Sequence, residues 1–324
     1  MTNGGKLVTV YGGSGFIGRH TVRALAKAGC RIRAAVRRPD LAGHLQPMGG
    51  VGQIHGVQAN LRYPDSVARA AAGADVVINL VGVLAPTGAQ KFAAVHAAGA
   101  RAVAKAAREA GVRRLIHVSA IGADLKSASA YARSKAEGEG AVLEEFPDAI
   151  ILRPSIVFGP DDEFFNRFAG LARMAPFLPL IGGGRTMFQP VFVGDLAAAI
   201  AAVVDGKGQP GKIYEIGGPG VFSFRELLDK TQEWTDRSRF YLPMPFWLAK
   251  LQALLTWPLP NALRPITVDQ VKLLQVDNVV GEVAKSEHRT LADLGVTAPH
   301  TISSIVPGYL ERFKPRGQYS HYRG

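Results

Sequence analysis

The stretch Val8-Thr-Val-Tyr-Gly-Gly-Ser-Gly-Phe-Ile-Gly18 decides the fold. A short apolar run enters glycines at 12, 15 and 18, and a helical pattern follows at once. Gly12 permits a tight turn, Gly15 lets backbone approach a pyrophosphate, and Gly18 lets helix pack closely on strand. The free N–H groups and partial positive charge of the helix start then face the anion. Glycine turns are common, so the context carries the reading. Leu7–Tyr11 is rich in β formers, and residues 16–28 place Ile17, Val22 and Leu25 on one side of a helix. Gly29 ends that helix, and Arg31–Val36 reads as the next strand. The result is a βαβ unit of dinucleotide-binding length.

Outward from this unit the alternation continues. Residues 53–59 and 75–81 read as strands three and four, and 92–110 as an alanine-rich helix closed by Gly111. Residues 114–119 read as strand five, 131–146 as a helix and 149–158 as strand six. This pattern predicts an α/β fold: a doubly wound parallel Rossmann sheet over residues 1–158, with ligands at the strand C-termini. Residues 159–324 are expected to form a smaller mixed α/β C-terminal domain, some of whose segments return to the sheet. There, 161–173 reads as a helix and 176–184 as a Pro/Gly-rich loop. Residues 189–193 read as a strand leading into a helix over 195–204, with Asp195 placed to cap it. Residues 212–216 read as a strand, and Ser223 with Glu226 reads as a capping box. Residues 241–265 intersperse five prolines with Phe246, Trp247, Leu251, Leu254, Leu255 and Trp257. That block is either a core helix or an amphipathic element facing lipid or a partner. Residues 308–324 read as a basic, aromatic, extended tail, with Arg312, Lys314, Arg316 and Arg323 beside Phe313, Tyr319 and Tyr322.

The chain of 324 residues has one cysteine, Cys30, so no internal disulfide forms and a reducing compartment is expected. Met1–Lys6 leads straight into strand one, so no secretory signal is expected, and no apolar run approaches the length of a membrane span. The net charge is +12, of which +9 falls in residues 1–150. This implies solubility and affinity for anions, or a basic face for anionic lipid or an acidic partner. No nucleic-acid-binding signature is present, so no nucleic acid is expected as partner. No His/Cys/Asp cluster has metal-ligand spacing, and no metal is expected.

Strand two ends in Arg37-Arg38-Pro39, where an acid that holds the ribose 2′-hydroxyl of NAD commonly sits. Two guanidiniums there suit a 2′-phosphate, which favours NADPH over NAD. Asp40 just beyond keeps NAD open, and a solvated surface pair is the plain alternative. Tyr131-Ala-Arg-Ser-Lys135 places a phenol and an ammonium on one helix face, where they can act in proton transfer. Ser119 ends strand five, where its hydroxyl can hold a substrate oxygen.

These residues resemble the short-chain dehydrogenase/reductase superfamily, in its extended and atypical branch, over most of the chain. The matching pieces are the glycine turn, Ser119, Tyr131-x-x-x-Lys135, Arg153-Pro-Ser-x-x-Phe-Gly159 and Gln189-Pro-Val-Phe-Val-Gly-Asp195. The resemblance implies that Tyr131 is the acid/base, Lys135 binds the nicotinamide ribose and Ser119 positions substrate. It implies cofactor contacts from Gly12, Ser14, Gly15, Phe16, Ile17, Gly18, Arg37, Arg38, Asn60, Leu61, Val81, Tyr131, Lys135 and Pro154. The chain departs from the family at Asn60, where an aspartate is common, and at His96-Ala-Ala-Gly99-Ala100, where the pattern is Asn-x-x-Gly-Thr. His96 therefore replaces the asparagine of the proton relay, as a buried structural histidine or as a relay of its own.

Leu115-Ile-His-Val-Ser-Ala120, residues 127–135, Arg153-Pro-Ser-Ile-Val-Phe-Gly159 and the Pro/Trp block are most similar to one branch. These are the nucleotide-binding accessory subunits of respiratory complex I, the NADH:ubiquinone oxidoreductase, and their bacterial counterparts. The likeness implies tightly held NADPH, other complex I subunits as partners, a peripheral place at the membrane surface, and a structural or regulatory role. It implies the cytoplasmic side of the inner membrane in a bacterium, or the matrix side in a mitochondrion. The alternative is a free-standing NADPH-dependent reductase or epimerase acting on a small carbonyl or sugar nucleotide.

Overall fold

The structure, a computed structural model, describes residues 5–86, 88, 90–256 and 266–315. The chain divides into two compact units. The first comprises residues 1–154, 193–216 and 280–298, and the second residues 155–192, 217–279 and 299–324.

The first unit is built on a sheet of seven parallel strands. Its strands are β1 (Leu7–Tyr11), β2 (Arg31–Val36), β3 (Ile54–Gln58), β4 (Val76–Asn79), β5 (Arg114–Val118), β6 (Ile150–Pro154) and an edge strand Ile213–Ile216. The order across the sheet runs from that edge strand through β6, β5, β4, β1 and β2 to β3. The chain thus winds outward from β1 to β3, then crosses back to β4 on the other side of β1. The C-terminal ends flanking that reversal form the crevice where a doubly wound sheet takes its ligand. The helices are α1 (Phe16–Lys27), α2 (Pro64–Ala71), α3 (Gly99–Glu109) and α4 (Ala130–Glu145), joined by Val193–Val204. Central strands covered on both faces read as continuous apolar runs, and β4 is buried at every residue. Beneath α2 and α3 the core is largely alanine and valine, including Ala70, Ala100, Ala104 and Val103.

Four local expectations change. The helix expected over 92–110 begins as a π-helical turn, Ala93–Ala98, before α3. The strand expected over 149–158 ends at Pro154, and Val157–Phe158 pairs separately with Val191–Phe192 in the second unit. Proline in β6 has no N–H to continue the ladder. Asp195 lies inside the first turn of a helix that starts at Val193, so it is not the cap. The helix expected over 161–173 runs from Phe165 to Met174, because Asp162 caps the preceding turn by accepting from the Asn166 and Gly159 N–H groups.

In the second unit, the stretch expected as a loop over 176–184 contains a strand, Phe177–Ile181, paired in parallel with Phe240–Met244. Cross-strand pairing of apolar residues overrode the local proline and glycine signal. The capping box at Ser223 forms as expected, with Ser223 Oγ accepting from the Glu226 N–H at 3.2 Å. The core gathers Phe158, Phe165, Phe188, Phe224, Leu227 and Leu228 against Ile302, Val306 and Leu310. Those last three lie on a helix, Ile302–Leu310, so residues 302–313 are helical rather than extended. Tyr309 Oη donates to Asp162 Oδ2 at 2.5 Å, and Arg312 Nη2 to Asn166 Oδ1 at 2.6 Å. Trp257, Pro258, Pro260 and Pro265 of the aromatic block, and Arg316, Tyr319, Tyr322 and Arg323 of the tail, lie outside the described residues.

Candidate functional site

The candidate site lies within the first unit, at the C-terminal edge of the sheet. Gly12 follows β1, Arg37 follows β2, Asn60 lies two residues beyond β3, Val81 two beyond β4, Ser119 follows β5, and Pro154 ends β6. Parallel strands bring all of these to one edge.

The glycine turn is defined by missing atoms. Gly12 sits at φ +79°, and its N–H donates to Ala35 O at 3.0 Å. A β-carbon on Gly18 would lie 2.2 Å from Gly12 O and 2.7 Å from the Gly13 carbonyl carbon, so only glycine fits. Gly15 is the N-cap of α1, no side chain caps that helix, and its first turn carries no acid. Ser14, Phe16 and Ile17 complete the turn into α1. An uncapped helix start with no competing carboxylate is suited to an anion. The fit to a dinucleotide pyrophosphate rests on this cradle.

At the end of β2 the two arginines part company. Arg38 forms a two-pronged ion pair with Asp40, at 2.7 Å from Nη2 to Oδ2. Arg37 is exposed and makes no ion pair among the described residues. Asn60 closes its own turn by accepting from the Arg62 N–H at 3.2 Å. Leu61 packs where a β-carbon on Gly99 would stand, 2.9 Å away.

Across the crevice, α4 carries Tyr131 and Lys135. Ser129 caps the helix by accepting from the Ala132 N–H. Tyr131 is half-buried, and burial of its phenol pushes the pKa up to about 12. Lys135 is 6% exposed; burial lowers its pKa to about 8 against the opposing pull of Glu139. Its Nζ donates to Val118 O at 3.2 Å and lies 6.0 Å from the centre of the Tyr131 ring. Ser119 is buried, its N–H donates to Leu152 O at 2.7 Å, and its Oγ has no hydrogen-bond partner among the described residues. A hydroxyl left unpaired in a buried place is an acceptor and donor held ready for another molecule.

His96, read from sequence as either structural or relay, is structural in its bonding. The Val83 N–H donates to Nε2 at 3.0 Å. Nδ1 therefore carries the proton and donates to Ser134 Oγ at 2.9 Å. The Ser134 hydroxyl donates to Tyr131 O at 2.7 Å. Burial and the nearby Lys135 lower the His96 pKa to about 3, so the ring is neutral. With both nitrogens engaged, it has no free lone pair or proton to pass on.

Five residues escaped the sequence reading. Asn79 and His117 sit opposite each other in the β4–β5 register, with Asn79 Nδ2 donating to His117 Nδ1 at 3.2 Å. His117 Nε2 is buried without a partner among the described residues, and burial followed by the charge of Lys135 lowers its pKa to about 3. A polar residue beside the apolar run of each strand, Asn79 after Val-Val-Ile and His117 after Leu-Ile, was the available signal. A β-carbon on Gly82 would lie 3.3 Å from Lys135 Nζ, and one on Gly138 would lie 2.3 Å from His96 O. Those glycines and Ser134 have no signal short of the tertiary structure.

Among the described residues, no group of three or more His, Cys, Asp or Glu could hold a metal ion. No described helix is long and apolar enough to cross a membrane. The family model for the NAD dependent epimerase/dehydratase family matches residues 8–217. The chain is 36% identical over 328 residues to NADH dehydrogenase [ubiquinone] 1 alpha subcomplex subunit 9, mitochondrial, of Arabidopsis thaliana, covering 97% of this chain and 79% of the plant protein. It is 37% identical over 201 residues to a ceramide reductase of Caulobacter vibrioides, covering 62% of each. Among solved structures, an NADPH-dependent quinone oxidoreductase from Escherichia coli superposes with a TM-score of 0.72 at 21% identity, covering 94% of this chain and 99% of that one. This last likeness concerns the fold.

Proposed function

For a chain that belongs to the NAD dependent epimerase/dehydratase family, we propose a subunit's role: an NADP(H)-holding accessory subunit of respiratory complex I, structural or regulatory in effect. The observation that carries this is the 36% identity with a plant complex I subunit across 97% of the chain. The site is one for a nicotinamide dinucleotide. In our reading, residues 12–18 hold the pyrophosphate, Arg37 and Arg38 meet a 2′-phosphate, and Asn60, Leu61 and Val81 line the adenosine side. Tyr131, Lys135 and Pro154 lie on the nicotinamide side. Lys135 donates to the ribose, and Ser119 offers its unpaired hydroxyl.

The partners in this reading are other complex I subunits and the membrane surface. Residues 239–268 contain Arg239, Lys250 and Arg264 and no acid. Within them the helix Phe246–Leu255 exposes Trp247 at 67% and Leu255 at 72%. Apolar exposure on a stretch whose own charges are all cationic, although Asp236 and Asp269 bound it, supports an element that rests on anionic lipid. The place would be the cytoplasmic side of a bacterial inner membrane, or the matrix side in a mitochondrion. Mild-detergent extraction of native membranes tests this: the chain should co-migrate with NADH:ubiquinone oxidoreductase activity. Migration only as a free species would sink the subunit reading.

The unpaired Ser119 Oγ, one residue after the Val118 carbonyl that Lys135 bonds, favours a second reading, a reductase of the short-chain dehydrogenase/reductase type. The relative named ceramide reductase supports it. NADPH-dependent reduction of a carbonyl substrate, lost in Tyr131→Phe, would establish that reading.

A further inference from the structure

We propose that His96 is a positioning residue of the nucleotide site: it pins residues 80–83 between the glycine turn and α4, and so sets how slowly the nucleotide leaves. The inference rests on the reading of this site as one that holds NADP(H).

Residues 80–83 are pressed from both sides. On one side lies the glycine turn: a β-carbon on Gly12 would stand 3.3 Å from the Leu80 carbonyl carbon and 3.3 Å from Val81 Cγ2. On the other lies α4: a β-carbon on Gly82 would stand 3.3 Å from Lys135 Nζ and 3.6 Å from His96 Nε2. The segment thus runs within about one methyl group of both walls, and sterics alone do not fix it. The bond that fixes the segment is the Val83 N–H to His96 Nε2, and it continues through Nδ1, Ser134 Oγ and Tyr131 O along α4. One chain of hydrogen bonds therefore ties the segment behind the phosphate turn to the backbone of Tyr131.

The imidazole is held in one orientation. It stacks on Phe92 at 5.4 Å and 21°, and meets the Tyr131 ring edge-on at 5.5 Å. It is 2% exposed, and Lys135 is the charged group beside it, which disfavours a second proton on the ring. The π-helical turn that carries it is pressed against α4 at Gly138. A π turn inserts an extra residue and re-aims its side chains, and such turns are frequent at functional sites. An asparagine at this position is too short to bond both Val83 and Ser134. The imidazole reaches both, which closes the site more firmly and leaves nothing to relay a proton.

Release of NADPH from the full-length protein, followed by its fluorescence during a chase with excess NADP, tests the proposal. His96→Gln keeps one acceptor and one donor, whereas His96→Phe keeps ring volume and stacking but neither bond. His96→Phe should speed release about tenfold or more, and His96→Gln should stay within about threefold of the parent. Equal release from the parent and His96→Phe overturns the proposal. Equally fast release from both variants overturns it too, since ring packing would then be the whole effect. If His96→Phe does not fold, Ser134→Ala cuts both bonds between His96 and Tyr131 O, leaves the bond to Val83, and should speed release about threefold without lowering the melting temperature by more than a few degrees. No change in that variant overturns the proposal. A parent protein that binds no NADPH overturns the underlying reading instead.

Discussion

At the glycine turn the site is made by leaving side chains out; at α4 it is made by burying groups that prefer water. Gly12, Gly15 and Gly18 present backbone to a ligand, and α1 follows without a side-chain cap. Lys135, His96 and His117 are each 6% exposed or less, and burial lowers the pKa of all three. The first wall is fixed by sterics and can be lost only by adding atoms. The second holds the Lys135 ammonium against its solvation and keeps both histidines neutral, so removing the lysine should stabilise the protein, whereas the histidines make it sensitive to acid. A site that is both steric and electrostatically strained fails in two distinguishable ways.

Adding one methyl at the tightest point should have the largest effect. In Gly18→Ala the new carbon meets backbone, not a movable side chain, at 2.2 Å from Gly12 O. We expect a loss of about 3 kcal/mol in urea unfolding together with loss of NADPH binding. Gly15→Ala meets Gly12 O at 3.3 Å and should cost about 1 kcal/mol or less. Equal effects from the two substitutions would break the steric account of this wall.

The opposite sign is expected at α4. Lys135 in the folded protein loses its proton near pH 8, against 10.5 for a free lysine. Between those values the unfolded chain binds more protons, so stability rises with pH across that window. Below it both states are charged and the full penalty applies. Lys135→Met should therefore stabilise the nucleotide-free protein by about 1–3 kcal/mol at pH 7. The gain should shrink as pH climbs from 8 toward 10.5, leaving only the lost bond to Val118. A destabilised Lys135→Met at pH 7 would show that the ammonium is compensated in place.

The contrast also explains what could be read from sequence. The glycine turn needs local facts alone: a strand, a spacing and a helix start lie within residues 7–27. Tyr131 and Lys135 are legible for the same reason, being one turn apart on α4. The state of His96 is not, because it depends on Val83 and Ser134, which only the fold brings to its two nitrogens. The strand Phe177–Ile181 was hidden likewise: its partner Phe240–Met244 lies some sixty residues away, and nothing local outweighs its prolines. The His117–Asn79 pair was half visible, since a polar residue in an apolar strand signals a partner without naming it.

The two histidines act in a pH window of their own, and their effect is absent at neutral pH. Both titrate near pH 3 in the folded protein against 6.5 when free. As pH falls below 6.5 the unfolded chain takes up protons that the folded chain refuses, so stability declines. Each histidine should contribute a slope of about 1.4 kcal/mol per pH unit between pH 6 and 4. Urea midpoints across that range should fall less steeply in His117→Asn than in the parent. Parallel curves would mean that His117 is protonated where it lies.

The smallest effect lies at the rim, where the two arginines differ only in their neighbours. Arg38 is already bound to Asp40, and that contact raises its pKa and lowers that of the aspartate. A 2′-phosphate would have to compete with this carboxylate for Arg38, while Arg37 is unencumbered. Arg37→Ala should therefore weaken NADPH several-fold more than NADH, and Arg38→Ala should shift the ratio in the same direction by less. Asp40→Ala should favour NADPH by releasing Arg38 and removing a like charge from the phosphate. Titrations of both nucleotides against the three variants decide it. If all three leave the NADPH-to-NADH ratio unchanged, the phosphate does not sit at the end of β2, and discrimination must come from the deeper wall around α4.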